Sequence, residues 1–270
     1  MRPRSIVFDL FGDYVRYHGG EIRLRALTTL LACFGVGEST TRVVMARLRR
    51  EGWFDARRAG RETIYALNDR SWQLLDEGRR RIFERSREPW DMRWHMVIYS
   101  VPESERAVRE ELRKELAWLG FGPLAASTWI SPHDRLTEVE ERFADQPAVR
   151  LDLLRCTSTG LPRDREMAAR CWDLDSLNAD YAELLRSYRP RMASYRGHRV
   201  PLEQALVERM RLTHDYRMFP FRDPDLPEEL LPAGWKGREA HELFLDAHEL
   251  LSEPAERFFT HITTGADRVA

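Results

Sequence analysis

The sequence predicts an α+β chain of three modules: an N-terminal winged helix-turn-helix, a central ferredoxin-like α/β sandwich and a C-terminal helical domain. Residues 1–88 order as three helices, a hairpin and a further helix. Residues 89–162 alternate β-forming and amphipathic segments, and residues 163–270 show helical periodicity alone. At 270 residues the chain is too long for one ordinary compact core and suits two or three domains.

In the first module, Ile6, Leu10, Asp13/Tyr14 and Tyr17 recur at helical spacing over 5–18, and Gly19-Gly20 stop that helix. A second amphipathic helix runs over 23–34 and closes at Gly35 and Gly37. Ser39 is placed to cap a third, Thr40–Glu51, which Gly52 ends. Strands follow at Trp53–Arg57 and Thr63–Leu67 with Gly60 in the turn, the pattern of a β-hairpin. A helix over 69–87 leads out of the module.

In the second module, Trp94–Val101 is rich in β-formers and stops at Pro102. The charged amphipathic helix Glu105–Leu119 comes next, then a strand at Ala125–Ile130, a short helix at Leu136–Phe143 and an alternating strand at Val149–Cys156. This β-α-β-α-β order suggests a small helix-covered sheet, with any missing edge strand near Gly122. The third module carries helices at Leu174–Arg186, Leu202–Tyr216, Arg238–Leu251 and Pro254–Thr263, with a proline-rich loop over 219–232 among them.

Charge is divided unevenly along the chain. The 43 basic and 44 acidic residues give a net charge of −1. Residues 1–87, however, hold 18 Arg and 11 acidic residues, while the remainder holds 25 basic and 33 acidic residues. A basic module joined to an acidic body points to a polyanion partner for the N-terminus. Mean hydropathy is −0.55, and no apolar stretch approaches the roughly 20 residues of a membrane helix. Asp9 interrupts the first apolar run and no small-residue cleavage site follows it, so a cytoplasmic chain without membrane association is expected.

Catalytic chemistry has little support. Cys33, Cys156 and Cys171 are odd in number and lack CxxC spacing, which indicates neither a disulfide frame nor zinc. There is no Gly-rich phosphate loop, G-x-S-x-G or H-E-x-x-H. His241 and His248 lie seven residues apart, too far along a helix for one ion without outside help. No catalytic residue, metal or cofactor is expected.

The third helix carries the sharpest signal. At 100° per residue it puts Thr41, Val44 and Leu48 on one face and Arg42, Val43, Ala46, Arg47 and Arg50 on the others. Guanidinium groups and short side chains together let a helix enter the major groove. Thr40, Arg42, Val43 and Arg47 would lie nearest the base edges, with Arg49 and Arg50 better placed for phosphates. Arg23 and Arg25 stand at the start of the second helix, where unpaired N–H groups attract phosphate. Arg57, Arg58 and Arg61 cluster around the hairpin tip, as in the wing of a winged helix. A single basic helix would read equally as a solvated face; the ordered set, double-stranded DNA its partner, is the stronger signal.

The whole chain resembles the PaaX family of repressors, named for the phenylacetate degradation pathway. The similar segments are residues 4–14 (RSIVFDLFGDY), 93–102 (RWHMVIYSVP) and 214–227 (HDYRMFPFRDPDLP), followed by Glu229-Leu230-Leu231-Pro232 and Trp235. Lys236-Gly237 departs from the Pro-Gly expected there. The resemblance implies a homodimeric repressor on a palindromic operator, released by an aryl-CoA thioester, typically phenylacetyl-CoA. The central module also resembles small CRISPR-associated ferredoxin-like nucleases, which need a metal-binding Asp where this chain has Ser100. A hydroxyl is a poor substitute for a carboxylate on a hard cation, so a metal-dependent nucleic-acid enzyme is the disfavoured alternative. A ligand-independent DNA-binding protein is another.

An acyl-CoA effector needs cations for its phosphates and an apolar slot for its acyl group. Arg186, Arg189, Arg191, Arg196, His198 and Arg199 crowd one stretch of the acidic body, interleaved with Tyr188 and Tyr195. The candidate effector contacts are Arg189, Arg191 and Arg196 from this stretch, with His214, Arg217 and Trp235 from the signature segment. The first stretch reads equally as a solvated connection, and the second as a packing motif.

Overall fold

The computed structural model describes residues 1–84 and 89–265. In chain order the helices and strands are α1 (Pro3–Asp13), β1 (Glu21–Arg23), α2 (Leu24–Ala32), α3 (Glu38–Arg50), β2 (Phe54–Ala59), β3 (Glu62–Leu67) and α4 (Asp69–Phe83). Then follow β4 (Trp94–Ser100), α5 (Arg106–Trp118), β5 (Gly122–Ala125), β6 (Thr128–Ser131), α6 (Leu136–Phe143) and β7 (Arg150–Cys156). The rest is helical: α7 (Leu161–Cys171), α8 (Leu174–Tyr188), α9 (Met192–Arg196), α10 (Leu202–Tyr216), α11 (Gly237–Leu250) and α12 (Ser252–Gly265). Short 3₁₀ turns link several of these. The two sheets are small and antiparallel, which makes the chain a mixed α and β protein.

Packing divides the chain into two compact units that cut across the three sequence modules. Unit one joins Met1–Glu84 to Ala182–Met218 and Arg238–Ala270, and unit two joins Arg85–Tyr181 to Phe219–Gly237. The end of the helix expected over 69–87 falls on residues 85–87, outside the described residues.

In unit one, α1 is buried nearly all round: Ile6, Val7, Asp9, Leu10 and Phe11 are covered, and Tyr14 just beyond it is fully buried. The helix is shorter than its periodicity suggests. It ends at Asp13, a 3₁₀ turn spans Val15–Tyr17, and Tyr17 is exposed rather than part of an apolar face. Gly20 makes the turn into β1 at φ +74, where a Cβ would also strike Trp72 at 2.9 Å. The sheet order is β1-β3-β2, with Ile22 opposite Tyr65 and Arg57 opposite Ile64.

α3 starts at Glu38 with Gly37 as its N-cap and no side-chain cap, so Ser39 lies inside the helix instead of capping it. Its buried face is Thr41, Met45 and Leu48, rotated slightly from the predicted Thr41/Val44/Leu48 stripe. The hairpin turn is only Gly60-Arg61, because Ala59 pairs with Glu62, and Arg58 therefore joins Arg57 within β2 rather than lying in the turn.

The C-terminal helices complete this unit. α10 packs along both α1 and α12, burying Leu206, Met210, Leu212 and Tyr216. Three polar links tie α10 to α1. His214 Nδ1 lies 3.0 Å from Asp9 Oδ2, an Arg217 nitrogen lies 3.1 Å from Asp9 Oδ1, and Thr213 Oγ1 donates to Asp13 Oδ2 at 3.0 Å. Tyr14 stacks on Phe259 of α12 with centroids 5.2 Å apart, and Arg209 lies over the Tyr14 ring.

Unit two holds a four-stranded sheet in the order β5-β6-β4-β7. The region read as one strand, Ala125–Ile130, is a hairpin of two, with β5 beginning at Gly122. α5 and α6 cover one face through Leu112, Leu116, Val139 and Phe143 over Val97 and Trp129. The other face packs Trp94 and Ile130 against Ala168, Leu174, Leu226 and Leu230. The loop over 219–232 is thus part of a core: His133 Nε2 lies 2.8 Å from the Asp225 carbonyl, and the Tyr181 hydroxyl donates to Asp223 at 2.7 Å. Gly122 is required where it stands, since a Cβ there would meet Trp172 at 2.6 Å.

Burial shifts two groups of unit one, Asp13 at the end of α1 and His248 on α11, in opposite senses. It pushes the Asp13 carboxyl up from 3.8 to about 6 against the pull of Arg209, and, with Arg209 adding to the effect, it pushes His248 down from 6.5 to about 3. A raised carboxyl contributes stability that is present below its unfolded value of 3.8 and is lost as pH rises through about 6. A depressed His contributes stability present above 6.5 and lost as pH falls toward 3. Asp13→Asn keeps an acceptor for Thr213 and removes only the titration. The difference in Tm, variant minus wild type, should therefore become more positive between about pH 4 and pH 7. A difference that does not vary with pH would contradict this account of Asp13.

Candidate nucleic-acid interface

The exposed surface of α3 follows from its periodicity. With Thr41, Met45 and Leu48 facing the core, Thr40, Arg42, Val43, Ala46, Arg47, Arg49 and Arg50 face solvent. Val43 is 68% exposed, a large apolar residue left uncovered between two arginines. A helix face of this kind has cations for phosphates, forked donors for base edges and a branched apolar group for a thymine methyl. Arg23 ends β1 and is the N-cap of α2, Arg25 lies exposed in the first turn of α2, and Arg58 and Arg61 are exposed on the hairpin. All ten residues proposed from sequence for this function lie in unit one, and only Arg23 is partly covered.

The cations fall into two groups. Arg42 pairs with Glu38, Arg47 with Glu51 at 2.8 Å, Arg57 with Glu21 at 2.8 Å and Arg23 with Glu62 at 3.1 Å. Arg4 joins Arg47 on Glu51, and their hydrogen bonds hold that carboxyl below the usual carboxylate range. Among the described residues, no carboxylate pairs with Arg25, Arg49, Arg50, Arg58 or Arg61. The second group is ready for an anion, whereas the first must exchange one partner for another.

The candidate effector contacts fall in both units. Arg191 lies over the Tyr188 ring and pairs at 2.6 Å with Glu208, which also accepts from the Tyr195 hydroxyl at 2.8 Å. Arg189 pairs with Glu239, while Arg196 is exposed on α9. His214 and Arg217 are engaged with Asp9. Trp235 belongs to unit two, edge-on to Tyr181 with centroids 5.6 Å apart. None of the six lines the cavity described in unit two. A groove of about 250 Å³ in unit two is lined instead by Arg165, Trp172, Leu174, Leu230, Leu231 and Pro232 among others. Among the described residues no three His, Cys, Asp or Glu side chains are grouped to hold a metal, and no helix is long and apolar enough to cross a membrane.

Three family models match the chain: the PaaX-like protein model over residues 2–71, the PaaX protein central Cas2-like domain over 87–168, and the PaaX-like protein C-terminal domain over 172–261. The chain is also 31% identical over 262 residues to the transcriptional repressor PaaX of Escherichia coli K12, covering 94% of this chain and 82% of that one. The chain belongs to the PaaX family. A solved structure of an uncharacterized protein, Rv0674 from Mycobacterium tuberculosis, has the same fold: TM-score 0.66, 23% identity, 95% of this chain and 98% of that one.

Reading the sequence alone missed the carboxylates that accompany the PaaX-family arginines. Two were legible there, since Glu38/Arg42 and Arg47/Glu51 stand at i,i+4. Glu21 and Glu62 reach Arg57 and Arg23 only through the β1-β3-β2 ladder, which no local spacing announces. These carboxylates compete with any polyanion for the same guanidinium groups. Glu38→Gln should therefore tighten binding of a random duplex or heparin by about two- to tenfold at low salt, and by less at about 0.3 M. Unchanged affinity in an anisotropy titration would show that Glu38 does not withhold Arg42.

Proposed function

We propose that this chain is a DNA-binding transcriptional repressor of phenylacetate-type catabolic genes, acting in the cytoplasm as a homodimer on a palindromic operator. The observation that carries the reading is the solvent-facing surface of α3, with Arg42, Val43, Ala46, Arg47 and Arg50 above a core-facing stripe. In this reading α2 and α3 are a helix-turn-helix, β2 and β3 its wing, and unit two a ferredoxin-like sandwich whose strand order and antiparallel pairing fit that fold. The sequence modules 1–88, 89–162 and 163–270 then serve DNA binding, positioning and effector sensing.

Roles follow from position. Arg42, Val43 and Arg47, with Thr40, read base edges. Arg23, Arg25, Arg50, Arg57, Arg58 and Arg61 contact phosphates and supply affinity without sequence preference. Two α3 helices in a dimer must match the spacing of successive major grooves, so a modest change in their separation costs affinity. An aryl-CoA thioester would act by favouring a conformer with the wrong spacing. Arg189, Arg191 and Arg196 are the proposed phosphate contacts, the first two exchanging Glu239 and Glu208 for the ligand, with His214, Arg217 and Trp235 as further candidates. The reading is of a regulator, not an enzyme: a metal-dependent nuclease needs a carboxylate where β4 ends in Ser100.

Fluorescence anisotropy on the duplex upstream of the chain's own gene tests this. Binding should exceed that of a random duplex by about a thousandfold or more, and phenylacetyl-CoA, but not free phenylacetate, should release it. Arg42→Ala and Arg47→Ala should each cost about tenfold or more in operator preference. Arg58→Ala should weaken both duplexes alike and lower the salt slope by about one. No preference for the upstream duplex would overturn the repressor reading. Specific binding that ignores the thioester would remove the effector and leave the repressor.

A further inference from the structure

We infer that Glu51 is a positioning residue for base reading: it holds Arg47 by Nε alone, which leaves the two terminal nitrogens of Arg47 to read guanine. The inference rests on the DNA-binding reading above and names a base together with the residue that sets the preference for it.

The two i,i+4 pairs on α3 are built differently. Arg42 gives Glu38 both its Nε, at 3.0 Å, and its Nη2, and both reach the same oxygen. The side edge of that guanidinium is occupied. Arg47 gives Glu51 Oε1 only its Nε, at 2.8 Å. Among the described residues Arg47 makes no other hydrogen bond or ion pair, so Nη1 and Nη2 form an open fork on a side chain that is 68% exposed.

Glu51 is itself held in place. Its Oε2 accepts from Arg4 of α1, and Arg70 of α4 donates to its carbonyl at 3.0 Å while lying 3.7 Å above the Trp53 ring. The Glu51 side chain is 30% exposed, against 61% for Glu38, whose one partner among the described residues is Arg42. An isolated surface pair contributes little, because two long side chains must be ordered for one screened contact. Glu51 is ordered by α1 and α4 before Arg47 meets it.

The fork and the nearby charge together select the base. In the major groove guanine presents two adjacent acceptors, O6 and N7, which match the terminal N–H groups of an arginine. Adenine and cytosine place a donor there, and thymine a single acceptor beside its methyl group. A phosphate also accepts from such a fork. Its negative charge, however, is opposed by the Glu51 carboxylate, and a guanine edge is neutral. Binding guanine keeps the Nε bond to Glu51, whereas only an anion must compete with it. Glu51 thereby weakens the attraction of Arg47 for backbone and spares its attraction for guanine, which raises specific over non-specific binding.

Anisotropy titrations test this with the duplex upstream of the chain's own gene, the same duplex carrying 7-deaza-dG at each dG in turn, and a random duplex. Removing N7 from the guanine that Arg47 reads should cost the wild type about fivefold or more. In Arg47→Ala and in Glu51→Gln that cost should fall below about twofold. Glu51→Gln should also bind the random duplex about two- to fivefold more tightly at low salt, which shows that the variant is folded. Glu51→Gln that keeps the full N7 cost and weakens both duplexes alike would assign Glu51 a structural role and overturn the inference. A wild type that prefers the upstream duplex but tolerates 7-deaza-dG at every position would overturn it too, leaving the repressor reading intact. A wild type with no preference for the upstream duplex would overturn both.

Discussion

The carboxylate of Asp9 is the constraint on which unit one depends. It is 5% exposed in the middle of a helix otherwise covered by Ile6, Val7, Leu10 and Phe11. Burying an ionised carboxylate costs several kcal/mol unless cations and donors meet it. Both groups that meet it, His214 and Arg217, come from the far end of the chain. α1 therefore reaches its buried position only when α10 is in place. α10 in turn packs along α12, which also meets the segment after α1, with Phe259 against Tyr14 and Glu256 against His18 at 2.7 Å. The helices that carry the candidate interface rest on this assembly, since α1 packs on both α2 and α3.

That arrangement explains why the signature over 214–235 has two different physical roles. His214 and Arg217 neutralise Asp9 in unit one. Leu226 and Leu230 fill the core of unit two beside Trp94 and Ile130. Asp223 accepts from Tyr181 and the Asp225 carbonyl meets His133, so the polar residues of the loop fasten it where its leucines are buried. A packing role accounts for most of a segment that the sequence also offered as an effector contact.

Local signals carried much of the fold. The stripe on α3, the β-formers of β4 and the Gly60 turn each announce themselves within a dozen residues, and their elements appear near the expected positions. Features set by distant residues were not legible. β5 is short and begins at Gly-Pro, which resembles a loop until the side chain of Trp172 closes over Gly122. The interleaving of chain ends in unit one depends on a single buried acid meeting partners about 205 positions away. In the candidate interface, the arginines of α3 could be read from a helical wheel. The division between paired and unpaired cations could not, because two of the four paired cations meet their carboxylates across strands.

Hydrogen exchange on full-length Asp9→Ala, compared with wild type, tests the dependence of unit one on this carboxylate. The account predicts faster exchange in α1 and α10 together, extending to α3, with the sheet of unit two unchanged. Faster exchange confined to the amides flanking residue 9, with α10 and α3 at wild-type protection, would contradict it.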